Sequence, residues 1–227
     1  MKINLIFEDN HLLVVEKPVN MPTQSDRTGD PDLLTFLKND LKVRYQKPGN
    51  VYLGLVHRLD RPVGGVMVFA KTSKAASRLS AQIREGKLEK GYLAVARGIL
   101  KIKNHHLHNY LVKDIRQNIV TVVPDSTPES KEAFLDYSVI GEFENLSLLK
   151  ITLGTGRSHQ IRVQLAAIGH PLYGDQKYGA EINQAGEQLA LFSYRLCLQH
   201  PTSKELIEFK AIPQLTYPWT VFRKFLE

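Results

Sequence analysis

Near the N-terminus, apolar and polar residues follow the two-residue period of β-strands. Apolar residues predominate in Ile3 to Phe7 and again in Leu12 to Glu16, and Asp9-Asn10 between them is a typical turn pair. The pattern therefore predicts that the chain opens with a β-hairpin. In the loop that follows, Asn20 stands where a left-handed backbone is expected, because asparagine tolerates that conformation better than most residues.

Three further stretches place apolar residues at helical spacing. They predict helices from Pro31 to about Lys42, from Ser73 to about Glu85 and from Ser158 to Gly169. Ser73 and Ser158 are the expected N-caps, because a serine hydroxyl can accept a hydrogen bond from the free N–H groups of a first helical turn. The apolar stripe of the third helix consists of Ile161, Leu165 and Ile168.

Apolar runs bounded by turn residues predict the remaining strands. The run GGVMVFAKT is almost continuously apolar, as expected for a strand covered on both faces. With the helix after it and the apolar run EKGYLAVARGIL, it forms a strand–helix–strand unit from Val66 to Ile99, whose crossover is right-handed if the strands are parallel. Strands from Ala133 to Ile140 and from Leu146 to Leu153, and a last hairpin turning through Pro201 to Lys204, complete the pattern.

Residues 104–130 are more polar, and we expect them to form a peripheral excursion. LVKD and NIVTVVPD within this segment predict the two short strands of a hairpin. His105, His106 and His108 make a poor zinc site, because no Cys, Asp or Glu stands at ligand spacing. We therefore expect no bound metal.

Length and composition narrow the class of protein. With 227 residues, of which 43% are hydrophobic and 23% charged, the chain suits one large globular domain. Its apolar runs are far shorter than the roughly 20 residues of a membrane-spanning helix. Glu8 and Asp9 also interrupt the N-terminus before a signal-like apolar core could form. We therefore expect a cytoplasmic protein, in which the single cysteine, Cys197, is a buried strand residue.

The charge balance points to the kind of partner. The formal net charge is +7 at pH 7, and basic side chains gain affinity for polyanions by displacing counterions from phosphates. Nucleic acid is therefore a candidate partner. Solvated lysines alone could produce the same balance.

One carboxylate stands at the mouth of the predicted buried strand. In the sequence HRLDRP, Arg58 and Asp60 would point to one side of an extended segment, and Leu59 and Arg61 to the other. A neighbouring arginine keeps a carboxylate ionised, so Asp60 would be available as a nucleophile or a base. The alternative is a structural ion pair.

A second constellation is GTGRSHQIR. Gly154 and Gly156 allow a tight turn, and residues 158–160 then lie in the first turn of the third helix, where free N–H groups and the helix dipole favour an anion such as phosphate. Arg157 precedes that turn, and Arg162 lies a turn later, away from the apolar stripe. The alternative is an ordinary capped helix with solvated arginines.

Taken together, these stretches resemble the RluA family of RNA pseudouridine synthases. The resemblance lies in HRLD and the glycine-led apolar strand after it, in KGYLAV, in GRSHQIRVQLAAIGHPLYGD and in the opening VVEKPVNMP. Matching segments run from about residue 5 to about residue 213. The sequence departs from the family pattern in two places: Val63-Gly64-Gly65 replaces the usual threonine-serine-glycine, and Asn20 replaces a common glycine.

The resemblance implies both a fold and an activity. The fold would be a single α+β catalytic domain over residues 1–227, with a mixed, largely antiparallel sheet and without the small N-terminal RNA-binding domain of some relatives. The activity would be the isomerisation of uridine to pseudouridine in structured RNA. That reaction needs no cofactor and no metal.

The resemblance also implies roles for individual residues. Asp60 would be the catalytic residue, acting either as nucleophile or as base at the sugar, and Arg162 would pair with it. Tyr92, otherwise a packing residue of its strand, would contact the flipped base, and Arg58 would fill the space that the base leaves. Expected to bind RNA or the base are Arg58, Arg157, Ser158, His159, Gln160 and Ile161.

The expected partner is a stem-loop of tRNA or rRNA, with no membrane partner, and the expected oligomeric state is a monomer. Two other functions stay open on the sequence. One is a non-catalytic RNA-binding or RNA-folding module on the same scaffold. The other is a hydrolase that breaks the same first bond, although a lone acid argues against it because most glycosidases use two carboxylates.

Overall fold

A computed structural model describes residues 3–227 as an α+β protein. The chain divides into two compact units. The first contains the residues up to Glu89 together with Ser193–Ala211, and the second contains Lys90–Phe192 together with Ile212–Glu227. The expectation of a single domain stays a prediction.

The first unit consists of one group of neighbouring strands and two helices. The strands are β1 (Asn4–Glu8), β2 (Leu12–Lys17), β3 (Gly54–Leu55), β4 (Gly64–Ala70), most of β10 (Leu191–Gln199) and β11 (Leu206–Lys210). The helices are α1 (Leu33–Arg44) and α2 (Ser73–Arg84). The strands lie in the order β1-β2-β4-β10, with β3 beside β4 and β11 beside β10. The predicted opening and closing hairpins are both present as antiparallel pairs.

The core of this unit lies between α2 and the sheet. Alternate residues of β2 and β4 place Leu12, Val14, Val66 and Val68 on one face, and the helix covers them with Leu79. The approach of β10 to β4 is so close that a β-carbon on Gly65 would lie 2.2 Å from the Ser193 carbonyl oxygen, at a φ of +120°. Glycine is therefore required at the last position of Val63-Gly64-Gly65.

The second unit contains five strands in the order β5-β9-β8-β6-β7, in which every neighbouring pair is antiparallel. They are β5 (Glu89–Arg97), β6 (Asn104–Asp114), β7 (Ile119–Val123), β8 (Lys131–Phe143) and β9 (Leu146–Leu153). Helix α3 (Gln160–Ala167) packs on this sheet through Val163, against Leu111, Val120 and Ala133. A 3₁₀ helix (Trp219–Phe225) ends the chain, with Trp219 and Phe222 buried.

Several predictions from the sequence are confirmed in detail. Strand β9 has the predicted bounds, and Asn20 adopts the left-handed conformation with a φ of 62°. Cys197 lies buried in β10. Strand β4, helix α2 and strand β5 follow one another as the predicted strand–helix–strand unit.

The predicted N-caps were wrong. The N-cap of α2 is Thr72, whose side chain accepts a hydrogen bond from the Ala75 N–H at 3.1 Å, so the prediction of Ser73 was one residue late. The N-cap of α3 is His159, at a φ of 52° and without a side-chain cap. Ser158 lies one residue before this cap, and its hydroxyl accepts from Lys113 Nζ at 3.1 Å.

Two other expectations need correction. Helix α1 begins at Leu33 rather than Pro31, because the Asp32 carboxylate caps it through the Thr35 N–H at 2.9 Å. Strand β6 begins at Asn104, so the histidines of the predicted excursion belong to a long strand that pairs with both β7 and β8. Within residues 3–227, none of the helices is both long enough and apolar enough to span a membrane.

Candidate active site

In the first unit, Asp60 lies in a loop that buried anchors fix on either side. This loop, residues 57–63, is called the Asp60 loop. The Val68 N–H of β4 donates to His57 Nε2 at 3.1 Å, and the Thr23 hydroxyl donates to the Leu59 carbonyl at 2.9 Å. The Leu59 side chain is itself buried. The alternation expected from the sequence holds for Arg58, which is exposed, and Leu59, which is buried, but not for Arg61, whose side chain lies at the surface and not on the buried side with Leu59.

A buried lysine holds the other side of the Asp60 loop. Lys17 is 1% exposed, and its ammonium donates to the carbonyls of Pro18 at 2.8 Å, Met21 at 2.7 Å and Arg61 at 3.1 Å. Burial lowers the pKa of Lys17 to about 7, against the raising effect of the Asp60 charge. Lys17 is thus a structural tie behind Asp60, a role that the sequence did not indicate.

Asp60 itself is partly exposed, and its carbonyl accepts from the Val63 N–H at 3.0 Å. Arg61, which the sequence placed beside it as a source of positive charge, is bound elsewhere. Its guanidinium makes ion pairs with Asp30 at 2.6 Å and Asp26 at 3.1 Å. The charge of Arg61 is therefore largely balanced by these two carboxylates.

In the second unit, Arg162 lies on α3 and is buried, not solvated. Its guanidinium makes two parallel hydrogen bonds to Asp175, from Nε at 2.8 Å and from an NH2 group at 2.7 Å. Burial raises the pKa of Asp175, but the Arg162 guanidinium and two backbone N–H groups outweigh it and hold the pKa below its usual value. The predicted pairing of Arg162 with Asp60 would join the two units and stays a prediction.

The loop that carries Asp175, residues 172–188, depends on Asn183. The Asn183 amide oxygen accepts from the Gly174 N–H and from Arg97 Nε, both at 2.9 Å. Its amide nitrogen donates to the carbonyls of Leu172 at 2.9 Å and Asp175 at 3.3 Å. All the hydrogen-bonding capacity of one buried amide thus serves to fix the loop.

His159 is oriented by a tyrosine that the sequence analysis missed. The Tyr178 hydroxyl is hydrogen-bonded to His159 Nδ1 at 2.7 Å and accepts from the Val120 N–H at 2.9 Å. The Tyr178 ring also lies under the guanidinium of Arg162, 5.2 Å from its centroid. No helical or strand periodicity in the sequence marks Tyr178 for this position.

The turn before α3, residues 154–158, is called the glycine turn. The Gln160 side chain accepts from the Arg157 N–H at 3.0 Å and donates to the Phe134 carbonyl at 3.0 Å. Gln160 and Ile161 are both buried, whereas Arg157 is exposed and Ser158 is partly exposed. Gly154 packs closely here, because a β-carbon would lie 1.9 Å from the Phe134 ring and the ring would have to move.

Tyr92 lies in β5, where its backbone is paired with Ile151, and its side chain is buried.

Two histidines of β6 are paired with carboxylates of β8: His106 with Asp136 at 2.9 Å and His108 with Glu132 at 2.8 Å. The described part of the chain contains no group of three or more His, Cys, Asp or Glu residues that could hold a metal ion.

Comparisons with known proteins agree on one family. The sequence model described as RNA pseudouridylate synthase matches residues 11–167. An uncharacterised RNA pseudouridine synthase of Bacillus subtilis, YhcT, is 34% identical over 213 residues, which cover 92% of this chain and 68% of the relative. Ribosomal large subunit pseudouridine synthase D of Haemophilus influenzae is 31% identical over 223 residues, which cover 92% of this chain and 67% of the relative.

A solved structure supports the fold. The human RNA pseudouridylate synthase domain containing 4 protein matches with a TM-score of 0.81 at 20% identity, over 99% of this chain and 94% of that chain. At this level of identity the likeness concerns the fold alone.

Proposed function

The chain belongs to the RNA pseudouridylate synthase family, and we propose that it isomerises uridine to pseudouridine in a stem-loop of rRNA or tRNA through Asp60. The observation that carries the proposal is the Asp60 loop. It lies within the segment that the family model matches, and His57, Leu59 and Arg61 fix its backbone while the carboxylate is left partly exposed. A rigid loop with a partly exposed acid suits a catalytic group that must meet a substrate.

In this reaction the bond between N1 of uracil and C1′ of the ribose breaks, the base turns, and a bond forms between C5 and C1′. The C5 proton is lost and N1 gains a proton, so the reaction is an isomerisation that requires no oxidant, no metal and no second substrate. Asp60 acts at the sugar as a nucleophile or as a base. The residue is suited to both roles because it is a carboxylate beside basic residues.

The residues around the base have separate tasks. A stacked uridine must leave the stack before it can react, and Arg58, exposed next to Asp60, is placed to fill the space it leaves. Tyr92 contacts the extruded base with its ring. Arg162 pairs with Asp60 and is itself oriented by Asp175.

The start of α3 contributes to RNA binding. Arg157, Ser158 and His159 contact the RNA, with His159 oriented by Tyr178. Gln160 supports the turn from behind, because its side chain is bound to the Arg157 N–H and to the Phe134 carbonyl. Ile161 has an apolar side chain with no donor for a phosphate, so it supports the turn in the same way.

The substrate follows from the chemistry of base extrusion. Unpaired bases cost least to extrude, so a loop of folded RNA is favoured over a duplex. Among the relatives, the Haemophilus influenzae protein is named for the large ribosomal subunit, which favours rRNA. With such a substrate the protein works in the cytoplasm, and we propose that it does so as a monomer.

Pseudouridine mapping of total RNA tests this proposal. RNA from a strain that lacks the gene is compared with RNA from the same strain complemented by the wild-type gene. We expect at least one uridine to be converted only in the complemented strain. Identical maps, together with retained RNA binding, would instead identify a non-catalytic RNA-binding module, and release of free uracil would identify a hydrolase.

A further inference from the structure

Lys90, at the start of β5, is a cation that the protein itself does not neutralise. The side chain is half-buried, and among residues 3–227 its ammonium has neither a carboxylate partner nor a hydrogen-bond acceptor. Burial lowers its pKa, as expected for an ammonium that loses water and gains no anion. A lysine in this situation costs folding free energy, so its presence calls for a reason outside the fold.

The ammonium of Lys90 faces the glycine turn. A β-carbon built on Gly156 would lie 3.4 Å from Lys90 Nζ, so the absence of a side chain there leaves room beside the charge. Lys90 and Tyr92 are two residues apart on the same strand and therefore point to the same face of the sheet. Any group bound at Lys90 thus lies on the face of Tyr92, which is the residue proposed to contact the base.

Two more cations lie at this turn. Lys113 Nζ donates to the Ser158 hydroxyl at 3.1 Å, and Arg157 Nε donates to the Glu132 carbonyl at 2.8 Å. Neither has an ion pair in the part of the chain that the structure describes. The carboxylate of Glu132 is directed to His108 instead.

The backbone of the turn also offers donors. The N–H groups of Gly156 and Ser158 have no acceptor within the described residues, whereas that of Arg157 between them donates to the Gln160 side chain. The turn therefore has two free N–H groups and, beside it, three cations without an ion pair: Lys90, Lys113 and Arg157. Such a set of donors and charges fits an anion with several oxygens, such as a phosphodiester.

We propose that the glycine turn binds a backbone phosphate of the substrate RNA and that Lys90 is the cation that holds it. The inference rests on the proposed function, because it assigns the phosphate to the RNA whose base meets Tyr92. Bound at this turn, the phosphate would fix the position of the strand beside the flipped nucleotide. It would also supply the counter-charge that the folded chain lacks.

Binding of a short oligouridylate, measured by fluorescence anisotropy at several KCl concentrations, tests the inference. For Lys90→Met, we expect the slope of log affinity against log salt to be less steep by about 0.7, the value for one contact to a single-stranded phosphate. Lys101→Met is the matched control, because it removes the same charge from an exposed residue that lies beyond the opposite end of β5. Equal slopes for the two variants would overturn the inference.

Two further arms make the result specific. Lys90→Arg should restore the slope of the wild type, since it restores the charge. With an oligouridylate whose linkages are uncharged methylphosphonates, the affinities of wild-type protein and Lys90→Met should become equal. A difference that persists on the uncharged strand would show that Lys90 contacts a base or a sugar, which would also overturn the inference.

Thermal unfolding controls for the integrity of the variant. Because Lys90 is a half-buried cation without a partner, Lys90→Met should unfold at a temperature no lower than the wild type, and Lys90→Gln provides a second uncharged variant. These binding experiments involve no turnover. Failure to find pseudouridine would therefore leave their outcome unaffected, and equal slopes would leave the proposed isomerisation intact.

Discussion

Asp60 owes its position to its neighbours. Thr23, His57 and Lys17 each make a hydrogen bond with a backbone group of the Asp60 loop or of the strand behind it, and the sequence marks none of them as a partner of the loop. The acid could be identified from HRLD. Its supports could not, because Thr23 and Lys17 reach the loop only through the tertiary fold.

Lys17 provides a prediction about pH. Its pKa is about 7 in the folded protein and its usual value is 10.5, so between these values the unfolded chain holds a proton that the folded protein has released. Raising the pH across this window therefore favours folding, by up to about 1.4 kcal/mol per pH unit.

The measurement compares the free energy of unfolding of wild-type protein and Lys17→Met at intervals from about pH 7 to pH 10. The free energy of unfolding of the wild type minus that of Lys17→Met should increase as the pH rises. A difference that stays constant would show that Lys17 keeps its proton throughout.

Asp175 provides a prediction about stability. It is buried opposite Arg162, and removing one member of a buried ion pair leaves the other charge poorly compensated. Asp175→Asn should therefore lower the free energy of unfolding in urea by roughly 3 kcal/mol.

The matched control for Asp175 is Glu142→Gln, which removes a carboxylate from the exposed pair with Lys103. That change should cost less than about 1 kcal/mol. Similar losses in the two variants would mean that the Arg162–Asp175 pair contributes no more than a surface pair. The sequence places Arg162 on the third predicted helix but does not identify Asp175 as its partner, because the two residues meet only through the loop that Asn183 fixes.

At the scale of whole elements, periodicity predicted where the helices and strands lie, but capping was misjudged. The hydroxyls of Thr72 and Ser73 are chemically equivalent candidates in the sequence. Only the backbone decides between them, since the N-cap residue needs an extended conformation, which Thr72 has with φ −135° and ψ 153°. At α3 the glutamine of the first turn, rather than a serine, organises the preceding turn.

The two residues at the start of α2 form a natural pair of variants. Thr72→Ala should lower the free energy of unfolding by about 1 kcal/mol, because the Ala75 N–H loses its acceptor. Ser73→Ala should have almost no effect, since alanine is well suited to a first helical turn. Urea denaturation of both variants measures the difference. A larger loss of unfolding free energy for Ser73→Ala than for Thr72→Ala would show that Ser73 is the N-cap, as the sequence predicted.

At the scale of the whole molecule, charge and family point to the same partner. The net charge of +7 favours a polyanion, and the family match over residues 11–167 identifies the polyanion as RNA. The α+β fold was predicted from the four stretches that resemble the family. The comparison with a solved structure supports this fold over 99% of the chain. Local sequence could not specify how residues distant along the chain combine, because such contacts depend on the fold as a whole.

The residues proposed to act on the RNA come from separate parts of the chain. Arg58 and Asp60 belong to the first unit, and Tyr92, Arg157 and Arg162 belong to the second. The central claim of the proposed function is that the carboxylate of Asp60 carries out the isomerisation.

The most direct test of that claim is pseudouridine formation by purified wild-type protein and Asp60→Asn, on RNA from a strain that lacks the gene. The variant keeps the shape of the side chain and removes its charge. We predict that it forms no pseudouridine and binds the RNA at least as tightly as the wild type, because an anion has been removed near the phosphates. Pseudouridine formation by Asp60→Asn at the rate of the wild type would contradict the account.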